Sequence, residues 1–464
     1  MRSAVPTAVS PTRSPRDRPT PRSLARLAAI ALVALAGLAV SPGWLDRAPA
    51  APPLAHREVL PGGTVLLVAE RPEVPIAVVD VYLRAGSVLD PLGAEGLANL
   101  TAVALTRGTR QRSGPELDRA IEFVGGSLEA GAGSDGAAVT LSVLKKDLAL
   151  GLDLLAEVLL TPTFPEEEVR RRIADVQASL QRAEESPEVV AGRELAALLY
   201  PGHPYARPRE GTMEAVGRLT RDHLVAFHRD HYRPDAAIVV AVGDLRAAEI
   251  RRELLARLGG WAAPSGRPPA IPDAPAQAPA VRRGLTRDLT QATAVLGRPG
   301  IRQLHPDYFP LAVASYVLGG GSASRLYSSV REERGLAYYV GSSVSPGRWG
   351  SAVSVSLQTR NEAVDEALAL TTKEMARLGS APVSAAELAR AKAYLVGSFP
   401  LRLDTSGKLA RFLIGLEEHG LGLDYPDRYA RGIRAVTAAD VQRAARAYFD
   451  PAQFSLVVVS GQRR

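Results

Sequence analysis

Three side chains on one predicted helix occupy positions that could do metal chemistry. The segment GAEGLANLTAVALTRGT, residues 93–109, indicates a glycine-containing turn followed by an apolar helix that Gly108 closes. Asn99, Ala102 and Val103 lie at i, i+3 and i+4, so they share one helical face. Such a face can hold two metal ligands and a general base, but this one carries an amide, a methyl group and an isopropyl group. The helix has the spacing of a metal site without its donors.

A second candidate for metal binding is the histidine cluster HLVAFHRDH, which contains His223, His228 and His231. His228 and His231 lie at i, i+3 on a predicted helix, so a surface metal site is geometrically conceivable. No suitably spaced carboxylate identifies a third ligand, and the corresponding helix near the end of the chain has none of these histidines. We therefore interpret them as solvated or capping residues.

Nucleophilic and phosphate-binding sites find little support in the sequence. The chain has no cysteine, which excludes thiolate nucleophiles, disulfides and cysteine zinc sites, and it has no G-x-S-x-G elbow. The stretch GGGSAS, residues 319–324, is rich in glycine but lacks the Lys-Ser/Thr pair of a phosphate-binding loop. From its residues alone it is a flexible turn that leads into a helix beginning near Ala323.

Several longer segments, taken together, carry a family resemblance. Their order along the chain is LRAGSVLDPLGAEGLANLTAVALTRGT, LYPGHPYARPREGT, the Tyr232–Pro234 turn, SRLYSSVREERGLAY and LARAKAYLVGSFPL. They resemble the pitrilysin/insulinase family of zinc peptidases, the inverzincins, of which mitochondrial processing peptidase is a two-subunit member. The resemblance covers residues 57–461. It implies an α+β fold of two related α/β-sandwich domains, each a mostly antiparallel sheet with helices packed on it, forming half of a clamshell.

The resemblance also implies what is missing from the first helix. The family signature is H-x-x-E-H plus a distant glutamate, in which the histidines and the distant glutamate bind zinc and the internal glutamate activates water. The histidine positions correspond to Asn99 and Val103, and the internal glutamate corresponds to Ala102. The distant ligand corresponds to Ser179 or a neighbour, and no carboxylate occurs in residues 176–183. We expect no metal on this chain and no peptide hydrolysis by it alone.

Another pair of family positions is retained. In the family, an Arg and a Tyr with the spacing of Arg331 and Tyr338 reach toward the zinc site and hold the substrate backbone and the developing oxyanion. The alternative is that Arg331 pairs with neighbouring glutamates while Tyr338 packs in the core. Because the zinc face has lost every donor and this pair remains, we favour the functional interpretation and regard Arg334 as a structural charge.

The glycine triplet gains a second interpretation from the same resemblance. The non-catalytic subunit of the processing peptidase carries a glycine-rich loop in this region that contacts substrate. Gly319, Gly320 and Gly321 are therefore either a substrate loop or a simple turn, and the sequence leaves both open.

The resemblance implies a non-catalytic subunit of a heterodimeric zinc peptidase. Its partners are a zinc-containing subunit of the same family and unfolded peptides, and the zinc is expected in the partner. A scaffolding relative, like the core subunits of the respiratory cytochrome complex, is the main alternative. A second alternative is a free-standing peptide-binding module, and a third is unconventional hydrolysis by this chain alone.

Composition and charge favour a globular protein that does not bind nucleic acid. The chain has 464 residues, of which 23% are charged and 46% are apolar, and its formal net charge is +7. Residues 1–50 contain seven Arg and two Asp, which leaves a net charge of +2 for the rest. No basic stripe interleaved with aromatic residues is present, so nucleic-acid binding is not expected.

The start of the chain resembles a secretory signal. Arg22 and Arg26 precede the apolar run of residues 27–40, and Ala48–Ala50 offers small residues at a cleavage position. We expect export to the periplasm and no stable membrane span after cleavage. An uncleaved anchor is the weaker alternative, because 14 apolar residues are short for a bilayer.

The remaining elements must position these sites in two related halves. The Pro/Ala-rich stretch APSGRPPAIPDAPAQAPAV predicts a linker. The boundaries are then a signal and tail at 1–50, a first domain at 51–262, a linker at 263–285 and a second domain at 286–464. Residues 219–242 and 436–459 match at a constant offset of 217, and each predicts a helix, a Pro-containing turn and a buried strand. This match indicates an internal duplication.

Overall fold

A computed structural model describes residues 53–266 and 269–462. The predicted signal at residues 1–50 lies outside the described residues. Within them, no helix combines the length and apolar character needed to cross a bilayer. The chain from Pro53 onward folds as one compact unit.

The first half of the described chain is built on a six-stranded sheet with the order β1-β2-β6-β3-β5-β4. β2 and β6 pair in parallel, whereas the other neighbours are antiparallel. The last strand of this half therefore lies between β2 and β3, which follow each other in sequence. The strands are β1 (His56–Val59), β2 (Val65–Glu70), β3 (Ile76–Leu83), β4 (Ser127–Ala132), β5 (Ala137–Leu144) and β6 (Ala237–Gly243). The helices are α1 (Leu97–Ala104), α2 (Gly114–Phe123), α3 (Leu148–Leu160), α4 (Glu166–Ala183), α5 (Pro187–Leu199), α6 (Met213–Gly217), α7 (Arg221–His231) and α8 (Ala247–Leu258).

The second half repeats this plan with a five-stranded sheet in the order β7-β11-β8-β10-β9. β7 and β11 pair in parallel, as β2 and β6 do, and the other neighbours are antiparallel. The strands are β7 (Arg282–Thr286), β8 (Gln291–Pro299), β9 (Ala337–Pro346), β10 (Ser351–Arg360) and β11 (Ser455–Ser460). The helices are α9 (Tyr308–Gly319), α10 (Val364–Ser380), α11 (Ala385–Gly397), α12 (Ser406–Glu418), α13 (Tyr425–Ala435) and α14 (Ala438–Tyr448).

The predicted duplication is confirmed at the level of single elements. Helices α7 and α14 begin and end 217 residues apart, as do the short 3₁₀ turns Pro234–Ala236 and Pro451–Gln453. Thr220 and Thr437 both begin their helices with a capping box, as expected for Thr at this position. The two halves are therefore copies of one supersecondary plan.

The segment between the halves has no regular secondary structure. The described residues from Gly259 to Val281 form no helix or strand. β7 begins at Arg282, inside the predicted linker of 263–285, because Arg282–Thr286 pairs in parallel with β11.

Each half sends one helix across to cover the sheet of the other. Helix α5 packs on β8 and β11, where Leu195 and Leu199 share a buried cluster with Val457 and Val459. Helix α12 packs on β3 and β6 of the first sheet, in the large core that contains Val240. The two halves therefore bury part of each other's core.

Candidate functional site

Helix α1, which carries the expected zinc positions, is held at its start by a side chain outside the helix. Gly96 precedes the helix with φ +96°, a conformation that favours glycine, and supplies no cap of its own. Asp90 provides the cap: its carboxylate accepts the backbone N–H groups of Gly96 and Ala98, each at 2.8 Å. Burial raises the pKa of Asp90 to about 7, although these two hydrogen bonds and Arg207 act in the opposite direction. The fold thus maintains α1 without any metal ligand on it.

The side chains at the expected zinc positions do not fit a metal. Asn99 is half-buried and lines a cleft, whereas Ala102 is fully buried in the core. Val103 packs against the same core, and Ser179 is exposed on α4. Zinc needs three nitrogen, oxygen or sulfur ligands and an open position. Among the described residues, no group of three His, Asp or Glu side chains could hold a metal ion.

The histidines of α7 have structural roles. His223 accepts the backbone N–H of Thr220 and completes the capping box at the start of the helix. His228 donates to the carbonyl oxygen of Leu159 at 2.9 Å, and burial lowers its pKa. His231 is half-buried against the ring of Phe227. The expected capping role holds for His223, whereas His228 and His231 are packed against the protein and are not solvated as expected.

Arg331 and Tyr338 both lie where the backbone departs from regular structure. Arg331 belongs to a π-helical turn, Tyr327–Glu332, in which Glu333 N–H donates to the Ser328 carbonyl at 2.9 Å. Tyr338 lies on the edge strand β9, opposite a register shift between Gln358 and Thr359 of β10, and it has no cross-strand partner there. π-Helical turns and β-bulges are frequent at functional sites because they redirect side chains.

The two side chains of this pair contact each other at the surface. The Arg331 guanidinium lies 4.9 Å from the ring centre of Tyr327 and 5.6 Å from that of Tyr338. Tyr338 is 74% exposed, so it does not pack in the core. No carboxylate of the described residues forms an ion pair with Arg331, whereas Arg334 lies 3.9 Å from Glu366. The alternative of a salt-bridged Arg331 with a buried Tyr338 is wrong.

The glycine triplet is partly explained by close packing. A Cβ on Gly319 would lie 2.4 Å from the backbone nitrogen of Ser342 on β9, and one on Gly320 would lie 2.5 Å from the Tyr316 ring. Gly321 has no such contact closer than 3.6 Å. Packing therefore requires the first two glycines, and only Gly321 has room for a side chain.

The main cleft near α1 involves residues that the sequence analysis did not select. It has a volume of about 720 Å³ and lies between β3, β5 and β4 of the first half and helix α12 of the second. Asp80 and Arg411 are among its lining residues, together with Asn99. Neither the Arg331–Tyr338 pair nor the glycine triplet lines it. Asp80 had a visible signal, because it is the only charged residue in the apolar strand IAVVDVYL.

Comparisons with known proteins agree with this fold. Residues 65–213 match the family profile described as Insulinase (Peptidase family M16), and residues 218–395 match the profile described as Peptidase M16 inactive domain. An uncharacterized zinc protease of Mycobacterium tuberculosis is similar, with 30% identity over 86% of this chain and 92% of the relative. A non-peptidase homolog from Helicobacter pylori is 24% identical over 89% of this chain and 95% of the relative.

Solved structures lead to the same fold. A peptidase M16 inactive domain from Pseudomonas fluorescens superposes with a TM-score of 0.82 and 28% identity, covering 88% of this chain and 98% of that one. A protease from Helicobacter pylori gives a TM-score of 0.80 at 21% identity, with 88% and 99% coverage, and supports the fold alone. The chain therefore belongs to the pitrilysin/insulinase family, peptidase family M16, as an inactive homologue with Asn99, Ala102 and Val103 at the expected zinc-site positions.

Proposed function

We propose that this chain is the non-catalytic subunit of an exported heterodimeric zinc peptidase that cleaves unfolded peptides. The partner, a zinc-containing subunit of the same family, carries the metal and the water-activating glutamate. This chain supplies walls of the chamber and the substrate contacts of Arg331 and Tyr338.

The observation that carries the proposal is a contrast between two places on the chain. The expected zinc face has lost every donor, and Ala102 is buried there as a core residue. Arg331 and Tyr338, by contrast, are exposed, lie within cation–π distance of each other and project from irregular backbone. Both side chains are therefore accessible to a peptide, which a scaffolding role would not require.

The chemistry of the pair suits a peptide under attack. A guanidinium and a phenol are both donors, so they can hold a peptide carbonyl and the negative charge that develops on its oxygen. The rings of Tyr327 and Tyr338 flank the guanidinium and limit its orientations. With no carboxylate competing for it among the described residues, the Arg331 charge is available to a substrate.

The test is turnover of an unfolded peptide by the assembled pair, with the partner chosen as a family member that has an intact H-x-x-E-H motif. Arg331→Ala and Tyr338→Phe should each lower kcat/KM, by about 10- to 100-fold, as expected for loss of an oxyanion donor. Matched controls are Arg334→Ala and Tyr339→Phe, which alter neighbouring exposed residues of the same types. The controls should keep turnover within about twofold.

The same experiment decides between this proposal and the scaffolding alternative. If Arg331→Ala and Tyr338→Phe assemble normally and turn over peptide at the unaltered rate, the chain has no part in the active site. A free-standing peptide-binding module would instead bind peptides fully in isolation and would not co-purify with a zinc-bearing chain. Export is tested separately by locating the mature chain in a periplasmic fraction.

A further inference from the structure

A single carboxylate is buried in the middle of the first sheet. Asp80 lies on β3 between Val79 and Val81 and is 2% exposed. Strand residues alternate between faces, so Asp80 shares its face with Val78 and Tyr82. This is the face on which helix α12 of the second half packs. An acidic residue at such a position requires an explanation, because a buried charge is costly unless it is paired.

The Asp80 carboxylate is only partly satisfied by the protein. The hydroxyl of Thr140, its cross-strand neighbour on β5, hydrogen-bonds to the carboxyl group. Burial raises the pKa of Asp80, whereas this hydrogen bond and a longer-range attraction to Arg411 of α12, which forms no ion pair with it, act in the opposite direction. Among the described residues, no donor reaches Asp80 Oδ1, although this oxygen is buried. A buried acceptor therefore lacks a partner in a residue that lines the cleft.

Small residues line much of the cleft beside Asp80. They are residues 130–133, Gly136 and Ala138, which we call the small-residue floor, and α12 lines the cleft as well. A Cβ placed on Gly131 or on Gly415 of α12 would meet no atom within 4 Å. Small residues thus keep open a path that bulkier side chains would fill.

The unpaired charges around the cleft are mostly negative. Glu210 pairs with Arg209, and Glu418 pairs with Arg348 at 2.6 Å. Asp135 accepts the hydroxyl of Tyr205 and the backbone N–H of Arg348. Burial lowers the pKa of His419, which favours its neutral form. Among the described residues, the charged lining groups that form no ion pair are then Asp80, Glu129, Asp135 and Arg411.

We propose that this cleft binds a primary ammonium group, with Asp80 Oδ1 as its deepest acceptor and the small-residue floor against its aliphatic stem. An ammonium is a compact donor that needs only one open acceptor, whereas a guanidinium is a planar fork suited to bidentate partners. Glu129 at the same cleft adds to the attraction for a cation. Both the lysine side chain and the amino terminus of an unfolded peptide carry a primary ammonium group. The choice of a peptide as the ligand rests on the proposed function.

The test measures peptide binding to the isolated full chain by titration calorimetry. The probes are a capped alanine peptide with one central lysine, the same peptide with norleucine in its place, and an uncapped alanine peptide with a free amino terminus. The lysine or the uncapped peptide should bind at least tenfold more tightly than the norleucine peptide. Preference between these two identifies the source of the ammonium. Equal binding of all three peptides would overturn the proposal.

Two substitutions locate the binding in this cleft. Asp80→Asn removes the charge at nearly constant shape and should abolish the preference over norleucine. Gly415→Leu fills the open wall and should weaken binding of the favoured peptide at least tenfold. Gly407→Leu is the matched control, because Gly407 lies on the same helix, faces open space and does not line the cleft. Unaltered lysine or amine preference in Asp80→Asn, or undiminished binding of the favoured peptide by Gly415→Leu, would contradict the proposal.

The outcome is separable from that of the proposed function. Binding is measured without the zinc partner, whereas the roles of Arg331 and Tyr338 are measured by turnover of the pair. If the chain shows no preference for an ammonium group but Arg331→Ala lowers turnover, only this inference fails. If the chain prefers an ammonium group but Arg331→Ala leaves turnover unchanged, only the proposed function fails.

Discussion

At the residue scale, a few polar side chains have structural or binding roles that the local sequence does not reveal. Asp90 lies six residues before Gly96, outside the usual capping positions, yet its carboxylate holds the first turn of α1. Asp80 lies within an apolar strand, lines a cleft and has a buried carboxylate oxygen without a partner among the described residues. The roles of both residues depend on how the chain is folded around them, so helix and strand patterns alone could not assign these roles.

Removing the Asp90 cap should destabilise the protein. Asp90→Ala leaves two backbone N–H groups at the start of α1 without their acceptor and should lower the free energy of unfolding by about 2–3 kcal/mol. Asp90→Asn should cost less, because it keeps an acceptor and because burial already raises the pKa of this carboxyl to about 7. Chemical denaturation of both variants measures the difference. Equal stability of Asp90→Ala and the unaltered protein would show that α1 does not depend on this cap.

The sequence predicted which residues form the Arg331–Tyr338 pair from their spacing, but it did not predict the geometry of the pair. Arg331 and Tyr338 were found by a family pattern, which carries no information on the shape of the backbone around them. The structure has a π-helical turn before Gly335 and a bulge at Tyr338. These irregularities depend on how β9 registers with β10, which is a tertiary property.

At the element scale, α7 shows how a suggestive sequence pattern can be entirely structural. His228 and His231 lie at i, i+3, a spacing that metal ligands can have, but His223 caps the helix and His228 donates to a carbonyl oxygen of α3. The related helix α14 has the same bounds in the repeat without these histidines. The repeat therefore requires the helix and its Thr cap, and the histidines are particular to the first half.

Burial of His228 and His231 should make stability depend on pH. Burial lowers the pKa of His228 and of His231 below the ordinary value of about 6.5. As the pH falls below about 6.5, the unfolded chain takes up protons that the folded chain does not, so the free energy of unfolding should decrease. The slope is at most about 1.4 kcal/mol per pH unit for each histidine.

The contribution of one histidine can be isolated. His228→Gln should give a shallower decrease in unfolding free energy between about pH 6.5 and pH 4.5, as measured by urea denaturation at several pH values. The unaltered protein serves as the reference. Parallel pH profiles for the two proteins would contradict the assignment of His228 as a buried neutral group.

At the scale of the whole molecule, the duplication was visible in sequence, but the way the halves combine was not. The match at an offset of 217 covers a continuous helix, turn and strand, and such local units leave a local signature. The exchange of α5 and α12 between the two sheets involves contacts between residues far apart in the chain. Amphipathic patterns show that these helices bury a face, but not which sheet covers it.

Helix α5 contacts the second sheet closely, so a larger side chain placed at this contact tests whether the two halves share a core. A Cβ on Gly297 of β8 would lie 2.6 Å from Leu195 Cδ2 of α5. Gly297→Leu should therefore push the halves apart and lower the free energy of unfolding by about 2–3 kcal/mol. Gly284→Leu on β7 is the matched control, because a side chain there meets no atom within 4 Å. Equal stability of the two variants in denaturant would argue against a tightly shared core.

The central claim is that the metal of the peptidase belongs to another chain. The most direct measurement is the zinc content per polypeptide, by elemental analysis, of the isolated chain and of the purified pair, together with peptide hydrolysis by each. We predict no stoichiometric zinc and no hydrolysis for the isolated chain, and one zinc per pair with hydrolysis that a chelator abolishes. One zinc per isolated chain, accompanied by chelator-sensitive cleavage of peptides, would contradict the account.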